Sequence, residues 1–376
     1  MKTINLPFNV KAPILATGAD LKGAFALAKG NKAHLVEGFG DLSQLGNLAR
    51  YEDAVIQAEK RLSIRPRVIA CDHHPDYCST RFAEMHGLER MVYELIDIQH
   101  HEAHAASAIV DNNIKGGVIA VVFDGTGFGW DGCIWGGEFL VGSPAKFRRA
   151  GHFEYIPMAG GEAVIKEPWR MAATHLYGAF GDRFLDLDID FVRKVDRRKW
   201  RIVKRMIDSS LNAPLTSSVG RLFDAVASII LCKFKSAYEA ELPMELEKIA
   251  IRGRFDHYQL NVRSEGDRML VGYKKIIEGV IDDLAKGIGR STVSAKFHNT
   301  IAQIIAEVAS RIRKRTDKDK VVLSGGVFQN KYLTAKTVNV LRSKGFSVFT
   351  HSRTSANDSG IPIGQIAIAH SRYRGR

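Results

Sequence analysis

The segment Gln99-His100-His101-Glu102-Ala103-His104 places three histidines within five consecutive positions. On a helix, His100 and His104 stand one turn apart on the same face, close enough to share one metal ion, while His101 and Glu102 point elsewhere. Two imidazoles do not complete a coordination sphere. Asp358, in the loop Ser355-Ala356-Asn357-Asp358-Ser359-Gly360, is the best candidate for a third ligand. Two imidazoles and one carboxylate suit a divalent iron- or zinc-type centre with open positions. Phosphate oxygens could take those positions, with the metal as Lewis acid and template.

Three glycine-bearing turns point to such a phosphate. They are Thr17-Gly18-Ala19-Asp20-Leu21-Lys22-Gly23, Phe123-Asp124-Gly125-Thr126-Gly127 and Leu323-Ser324-Gly325-Gly326-Val327. Glycine at a strand exit lets backbone N–H groups approach a phosphate or nucleoside with no Cβ in the way. A following helix N-terminus adds a dipole favourable to an anion. One such turn is explained by chain geometry alone. Two at equivalent points of a repeat, with a third entering a helix, imply a bound nucleotide facing Gly18, Asp124, Gly125, Thr126, Gly127, Gly325 and Gly326.

That repeat is legible in the order of elements. Strand-like runs at Ile14–Thr17, Ala24–Ala28 and Ala33–Glu37 precede a helix-like stretch, about Leu42–Leu62. A buried strand (Arg67–Cys71), a short helix (Tyr77–His86), a strand (Met91–Ile98) and a helix (Gln99–Val110) follow. The pattern restarts at Val118–Phe123, whose wholly apolar composition predicts a central strand. Gly125–Gly129 is expected to turn the chain into strands at Gly132–Val141 and Phe147–Tyr155. A long, mostly helical segment, about 161–286, interrupts the repeat. A helix at Ala295–Arg313, a strand at Val321–Leu323, a helix at Gln329–Ser343, a strand at Phe346–Phe349 and a terminal helix at Pro362–Tyr373 complete it. Two copies of β-β-β-α-β-α-β-α predict a duplicated, actin-like (RNase H-like) α/β fold with nucleotide in the cleft between halves. The leading meander argues against a doubly wound sheet.

The bulk numbers are compatible with this. A chain of 376 residues suits two domains, 1–115 and 116–376. No apolar run is long enough to cross a bilayer, and the N-terminus lacks a signal-like apolar region, so a cytoplasmic protein is expected. None of the four cysteines forms a CxxC pair, which argues against a zinc ribbon. The net charge of +13 comes from scattered basic residues and reads first as a solvated surface, with an acidic partner as the alternative. The basic clusters lack the aromatics of a single-strand nucleic-acid platform.

Several longer stretches carry a family resemblance. Cys71-Asp72-His73-His74-Pro75-Asp76-Tyr77 with Ser79-Thr80-Arg81, QHHEAHAA from Gln99, FDGTGFGWDGCIWGGEF from Phe123, KEPWRMA from Lys166, the GRLFDAVA helix from Gly220 and LSGGVFQN from Leu323 resemble the hydrogenase-maturation carbamoyltransferases of the HypF type. The resemblance runs from about Ile14 to the C-terminus. It implies that a metal held at His100, His104 and Asp358 lies beside a carbamoyl-adenylate in the cleft. It further implies that the carbamoyl group passes to the C-terminal cysteine of a HypE-like partner. An acyl adenylate already has a good leaving group, so alignment and charge stabilisation matter more than a strong base. Lys22, Lys166 and Arg170 are the candidate catalytic cations, and Glu239 and Asn330, within the family stretches, join the nucleotide-binding set.

Two departures qualify the resemblance. Complete family members carry an acylphosphatase domain, zinc fingers and a YrdC-like domain before this region, and the last of these makes the adenylate. A separate YrdC-like protein or domain is therefore expected as a partner. Second, Ala240-Glu241-Leu242 stands where the family segment has Gly-Gln-Ala. Alternative readings are a tRNA threonylcarbamoyl transferase-like enzyme, a stand-alone O-carbamoyltransferase-like paralogue and a non-catalytic nucleotide-binding scaffold.

Overall fold

A computed structural model describes residues 1–92 and 94–373. Tyr93, within the strand expected at 91–98, and residues 374–376, at the end of the second expected domain, lie outside the described residues.

The first half runs β1 (Lys2–Asn5), β2 (Ile14–Ala16), β3 (Ala24–Lys29), β4 (Lys32–Glu37), α1 (Leu45–Leu62), β5 (Val68–Asp72), α2 (Cys78–Arg90), β6 (Glu94–Ile98) and α3 (His100–Asp111). The second opens with β7 (Val118–Phe128), β8 (Ile134–Ser143), β9 (Lys146–Phe153) and β10 (Ile156–Pro157). It continues with α4 (Ala163–Lys166), α5 (Trp169–Phe180), α6 (Asp190–Lys194), α7 (Arg197–Asp208), β11 (Leu215–Thr216), α8 (Val219–Leu231) and α9 (Glu241–Ile249). The hairpin β12 (Val262–Glu265) and β13 (Arg268–Val271) follows, then α10 (Lys274–Ala285), α11 (Arg290–Thr316), β14 (Lys320–Ser324), α12 (Lys331–Ser343), β15 (Ser347–Phe349) and α13 (Ile361–Arg372).

The first sheet has the order β1-β4-β3-β2-β5-β6, and the second contains the path β12-β13-β9-β8-β7-β14-β15. Setting aside β1 and the outer hairpin, both reduce to an antiparallel meander followed by two parallel strands. This is the duplicated actin-like architecture. Strand β1 was not anticipated from sequence because it has a single buried residue, Ile4.

Helices α3 and α13 lie between the two sheets. Ala103, Ala106 and Ile109 of α3 and Ile361, Ile363 and Ile366 of α13 share one core with Ile14 and Ala16 of β2 and Val118, Ala120 and Val122 of β7. Each fully buried isoleucine there contributes about 1.5–3 kcal/mol. Small residues allow the two helices to touch: a Cβ on Gly364 would lie 1.8 Å from the Ala103 carbonyl oxygen. The terminal helix, expected within the second domain, thus packs on α3 and the first sheet.

Other boundaries differ for local reasons. The stretch expected to turn at Gly125–Gly129 carries β7 on to Phe128. Pairing with β8 shifts register between Phe123 and Gly127, then resumes at Gly127↔Trp135. Such an irregularity frees Asp124, Gly125 and Thr126 from the ladder. Helix α11 starts at Arg290, before the first residue of its apolar stripe, and a 3-10 turn at Gly326–Gln329 precedes α12. The segment 161–286 is mostly helical, but it also contains β11 and the hairpin β12–β13, which extends the second sheet beside β9. No described helix is long and apolar enough to cross a membrane.

Candidate functional site

Helix α3 begins where β6 ends, and its N-cap is Gln99. The Gln99 Oε1 accepts from Glu102 N at 3.0 Å, which fixes the first turn. The same amide then has only its Nε2 to give, and this donates to His101 Nδ1 and to the Phe128 carbonyl, both at 3.0 Å. His101 is thereby held against β7, and burial, then the His100 charge, keep its pKa well below the ordinary value.

His100 and His104 face the other way, into the space between the halves. His100 Nδ1 donates to Asp72 Oδ2 at 2.8 Å, both side chains fully buried. A carboxylate can only accept, so His100 Nε2 is the ring's ligand atom. It lies 3.4 Å from Asp124 Oδ2 and 3.7 Å from Asp358 Oδ1. His104 Nε2 mirrors it, 3.7 Å from Asp124 Oδ2 and 3.4 Å from Asp358 Oδ1. One ligand atom from each of the four residues falls within 4.8 Å of all the others. Four atoms held at about 2.1 Å from one tetrahedral centre stand about 3.4 Å apart, so the spacing fits one ion.

Two further observations favour a cation. Both His100 Nε2 and His104 Nε2 are buried without a hydrogen-bond partner, a cost that a metal bond removes. The charges also ask for one. Burial alone would depress the His100 and His104 pKa values, yet the carboxylates of Asp72, Asp124 and Asp358 raise His100 well above normal, and Asp124 and Asp358 raise His104. Burial likewise opposes ionisation of Asp124 and Asp358, but the two imidazoles hold Asp124 well below, and Asp358 below, the ordinary carboxylate value. Protonated rings supply here the positive charge that a divalent cation would bring. Sequence reasoning places Asp124 with the nucleotide and misses it as a fourth ligand; its position at a strand exit, in register with the repeat, is the one available signal.

Asp124 and Asp358 also line a cavity of about 1300 Å³. Lys22, Gly125, Thr126, Glu239, Gly326 and Asn330 line it too. Gly326 N donates to Asp124 Oδ1 at 3.1 Å, and Lys22 Nζ reaches across from the first half to Glu239 Oε2 at 3.1 Å. Asn330 caps α12, with Oδ1 accepting from Leu333 N at 2.8 Å.

The remaining sequence candidates lie elsewhere. Gly18 does not line the cavity; it exchanges hydrogen bonds with Gln365 of α13, and a Cβ there would meet the Ala24 carbonyl at 2.2 Å. Gly127 makes room for the histidines, since a Cβ would fall 2.4 Å from His101 Cε1 and 2.8 Å from His100 Cδ2. Gly325 (φ +96°) is pressed against the Phe123 backbone. Lys166 is exposed and outside the cavity lining. Arg170 is tied at 2.6 Å to Glu167, in the turn between α4 and α5, and also lies outside that lining.

Sequence reasoning also misses Arg221 and Asp224, buried charges on α8 that line the cavity. Arg221 Nη1 stands 2.8 Å from Asp224 Oδ2, yet Arg221 Nε, Arg221 Nη1 and Asp224 Oδ2 have no aligned hydrogen bond. Burial raises the Asp224 pKa to about 6 against the pull of Arg221. Their spacing within GRLFDAVA, one helical turn, is a signal that also fits a surface ion pair.

Comparison with known proteins places the chain in a family. The model described as HypF Kae1-like domain matches residues 9–111, and the one described as carbamoyltransferase, Kae1-like domain, second subdomain, matches residues 120–365. Carbamoyltransferase HypF of Synechocystis sp. is 31% identical over 96% of this chain and 48% of its own length. The solved structure of full-length HypF in the phosphate- and nucleotide-bound form is similar at 36% identity with TM-score 0.93, covering 99% of this chain and 48% of that one. This chain therefore spans about half the length of these relatives. A carbamoyltransferase HypF homolog of Cupriavidus necator, 30% identical, is instead covered over 91% of its length. The chain belongs to the HypF carbamoyltransferase family, within its Kae1-like region.

Proposed function

We propose that the chain transfers a carbamoyl group from carbamoyl-adenylate to the C-terminal cysteine of a HypE-like partner during nickel–iron hydrogenase maturation. The observation that carries this reading is the junction of ligand cluster and cavity: Asp124 and Asp358 belong to both. A nucleotide in the cavity would set its phosphate against the cluster, and a full-length HypF has been solved in a phosphate- and nucleotide-bound form.

His100, His104, Asp124 and Asp358 would hold iron or zinc, which when bound supplies Lewis-acid charge stabilisation. The chain's own groups do the rest. Lys22, at the cavity wall, is placed to neutralise phosphate charge, and Gly125 keeps the backbone bare beside Arg221, whose Nη2 would lie 2.9 Å from a Cβ there. In the transfer, a partner thiolate attacks the carbamoyl carbon, a C–S bond forms, and the C–O bond to phosphate breaks with its electron pair leaving on AMP. No strong base is needed once the thiol is ionised, so positioning dominates. Forming the adenylate is assigned to a separate YrdC-like protein or domain.

The test supplies purified chain, a HypE-like acceptor and either preformed carbamoyl-adenylate or ATP with carbamoyl phosphate, and reads the acceptor's mass. Carbamoylation is expected from the adenylate, and from the second mixture only after a YrdC-like protein is added. No modification from the adenylate would refute the transfer role. Robust modification without the YrdC-like protein would refute the division of labour.

A further inference from the structure

A surface of the first half, outside the cavity lining, has no role in the transfer reading. Strand β6 ends its sheet, so one side of its backbone is unpaired among the described residues. Edge strands are normally blunted by charge, proline or bulges. The sequence of β6, Glu-Leu-Ile-Asp-Ile, has no proline or lysine and pairs regularly with β5, and its only charges are the carboxylates of Glu94 and Asp97, which repel acidic strands but not basic ones.

Large apolar side chains gather beside this edge. Leu95 and Asp97 pair with Ile69 and Cys71, which face the core beneath α1 and α2, so they share that face of the sheet. Glu84, Leu88 and Met91 follow one another at helical spacing along and just past α2. Helix α2 packs against both β5 and β6, so this stripe borders the edge of the sheet. Met85, Leu88, Met91 and Leu95 are 64%, 80%, 85% and 42% exposed, a density that a monomer surface seldom carries without a partner.

The charge around them identifies the partner's chemistry. Glu84, Glu89 and Glu94 are exposed, with no described ion-pair partner, and Asp97 is paired with His73. Of the nearby cations, Arg81 is engaged with Asp76 and Arg90 with Glu59, while Arg65 and Arg67 flank only the start of β5. Carboxylates thus border the apolar strip along α2 and β6, on a chain of net charge +13. A second copy would set carboxylates against carboxylates. We infer that the β6 edge and the outer face of α2 dock a basic, extended segment of another protein, which adds as a strand. Its lysines or arginines meet the glutamates, and its alternating apolar side chains cover Leu88, Met91 and Leu95.

The test uses two short labelled peptides, one alternating lysine and valine, the other glutamate and valine, titrated with the full chain. The basic peptide should bind more tightly, weaken as salt rises, and lose at least about tenfold, or about 1.4 kcal/mol, in Leu88→Lys/Leu95→Lys and in Glu84→Lys/Glu94→Lys. Unchanged thermal midpoints and metal content in both variants show that they fold. Equal binding of the two peptides, or binding indifferent to both variants, overturns the inference. So does a wild-type dimer that the leucine variant dissociates, because a second copy would then be the occupant.

Discussion

Asp72→Asn is expected to cost the metal site more than its small change in shape suggests. Asp72 is fully buried, and its two oxygens serve two donors: Oδ2 takes His100 Nδ1–H at 2.8 Å and Oδ1 takes His74 N–H at 2.9 Å. An amide has one acceptor oxygen. Turned either way, the substituted side chain sets its NH2 against one of those N–H groups and removes the charge that makes the His100 ring basic. Loss of an orienting carboxylate of this kind typically weakens metal binding by 10–100-fold; the donor–donor clash places this variant near the upper end, about 100-fold or about 2.7 kcal/mol. The assay is competition for iron(II) or zinc against a chromophoric chelator, with the thermal midpoint of metal-free protein measured in parallel. Asp72→Glu should restore part of the affinity if its longer chain reaches His100. Wild-type affinity in Asp72→Asn would refute the argument that Asp72 sets the ligand ring. So would a metal-free midpoint that falls by the whole amount, because the role would then be structural alone.

Three further outcomes follow from the same geometry. Gly127→Ala should lower metal affinity and cost about 1–3 kcal/mol of stability, because its methyl would overlap His101 and His100; chelator competition and thermal melts read both. Asp111, buried at the end of α3, accepts from the backbone N–H groups of Ser352, Arg353 and Thr354. Burial opposes its charge, but these bonds and His351 hold its pKa far below normal, so its stabilisation is complete above the ordinary carboxylate pKa and lost as pH falls below it. Asp111→Asn should therefore lower stability by about 2–3 kcal/mol at neutral pH, with the gap closing in acid, as denaturant titrations can show. Asp224 has the opposite sign. Its folded pKa of about 6 exceeds the unfolded value, so stability declines as pH rises from about 4 through about 6. Wild type should lose about 2–3 kcal/mol relative to Asp224→Asn across that window, and parallel pH profiles would refute the burial argument.

How much of this the sequence reveals depends on whether a signal is periodic or spatial. The repeated element order is legible because β-branched strands and amphipathic helices carry their own periods, as in Val118–Phe123 and the buried stripe Ile301, Ile304, Ile305, Val308, Ile312. The pairing of His100 with His104 is local in the same sense. Asp124 as a neighbour of both is not, because it depends on a register shift in β7 that glycines alone do not announce. Glycines mislead for a related reason: Gly18, Gly127 and Gly325 give clearance to strand β3, two rings and strand β7, and from sequence these needs look like that of a phosphate. Lys166 and Arg170 sit in a family-specific stretch, but which way a helix turns its cations is decided by packing. Arg170 instead meets Glu167, in the turn that precedes its helix.

The placement of α3 between the sheets has a mechanical consequence. Its histidines follow directly from β6 of the first half, whereas Asp124 rides on β7 of the second. An ion gripping both would act as a rivet through the seam, with the Lys22–Glu239 contact as a weaker clasp at the cavity wall. Parting the halves would pull imidazole from carboxylate, so spreading the seam and surrendering the ion become one event. A nucleotide that exchanges with the ion retained would then have to come and go with the seam shut, through the mouth of the cavity.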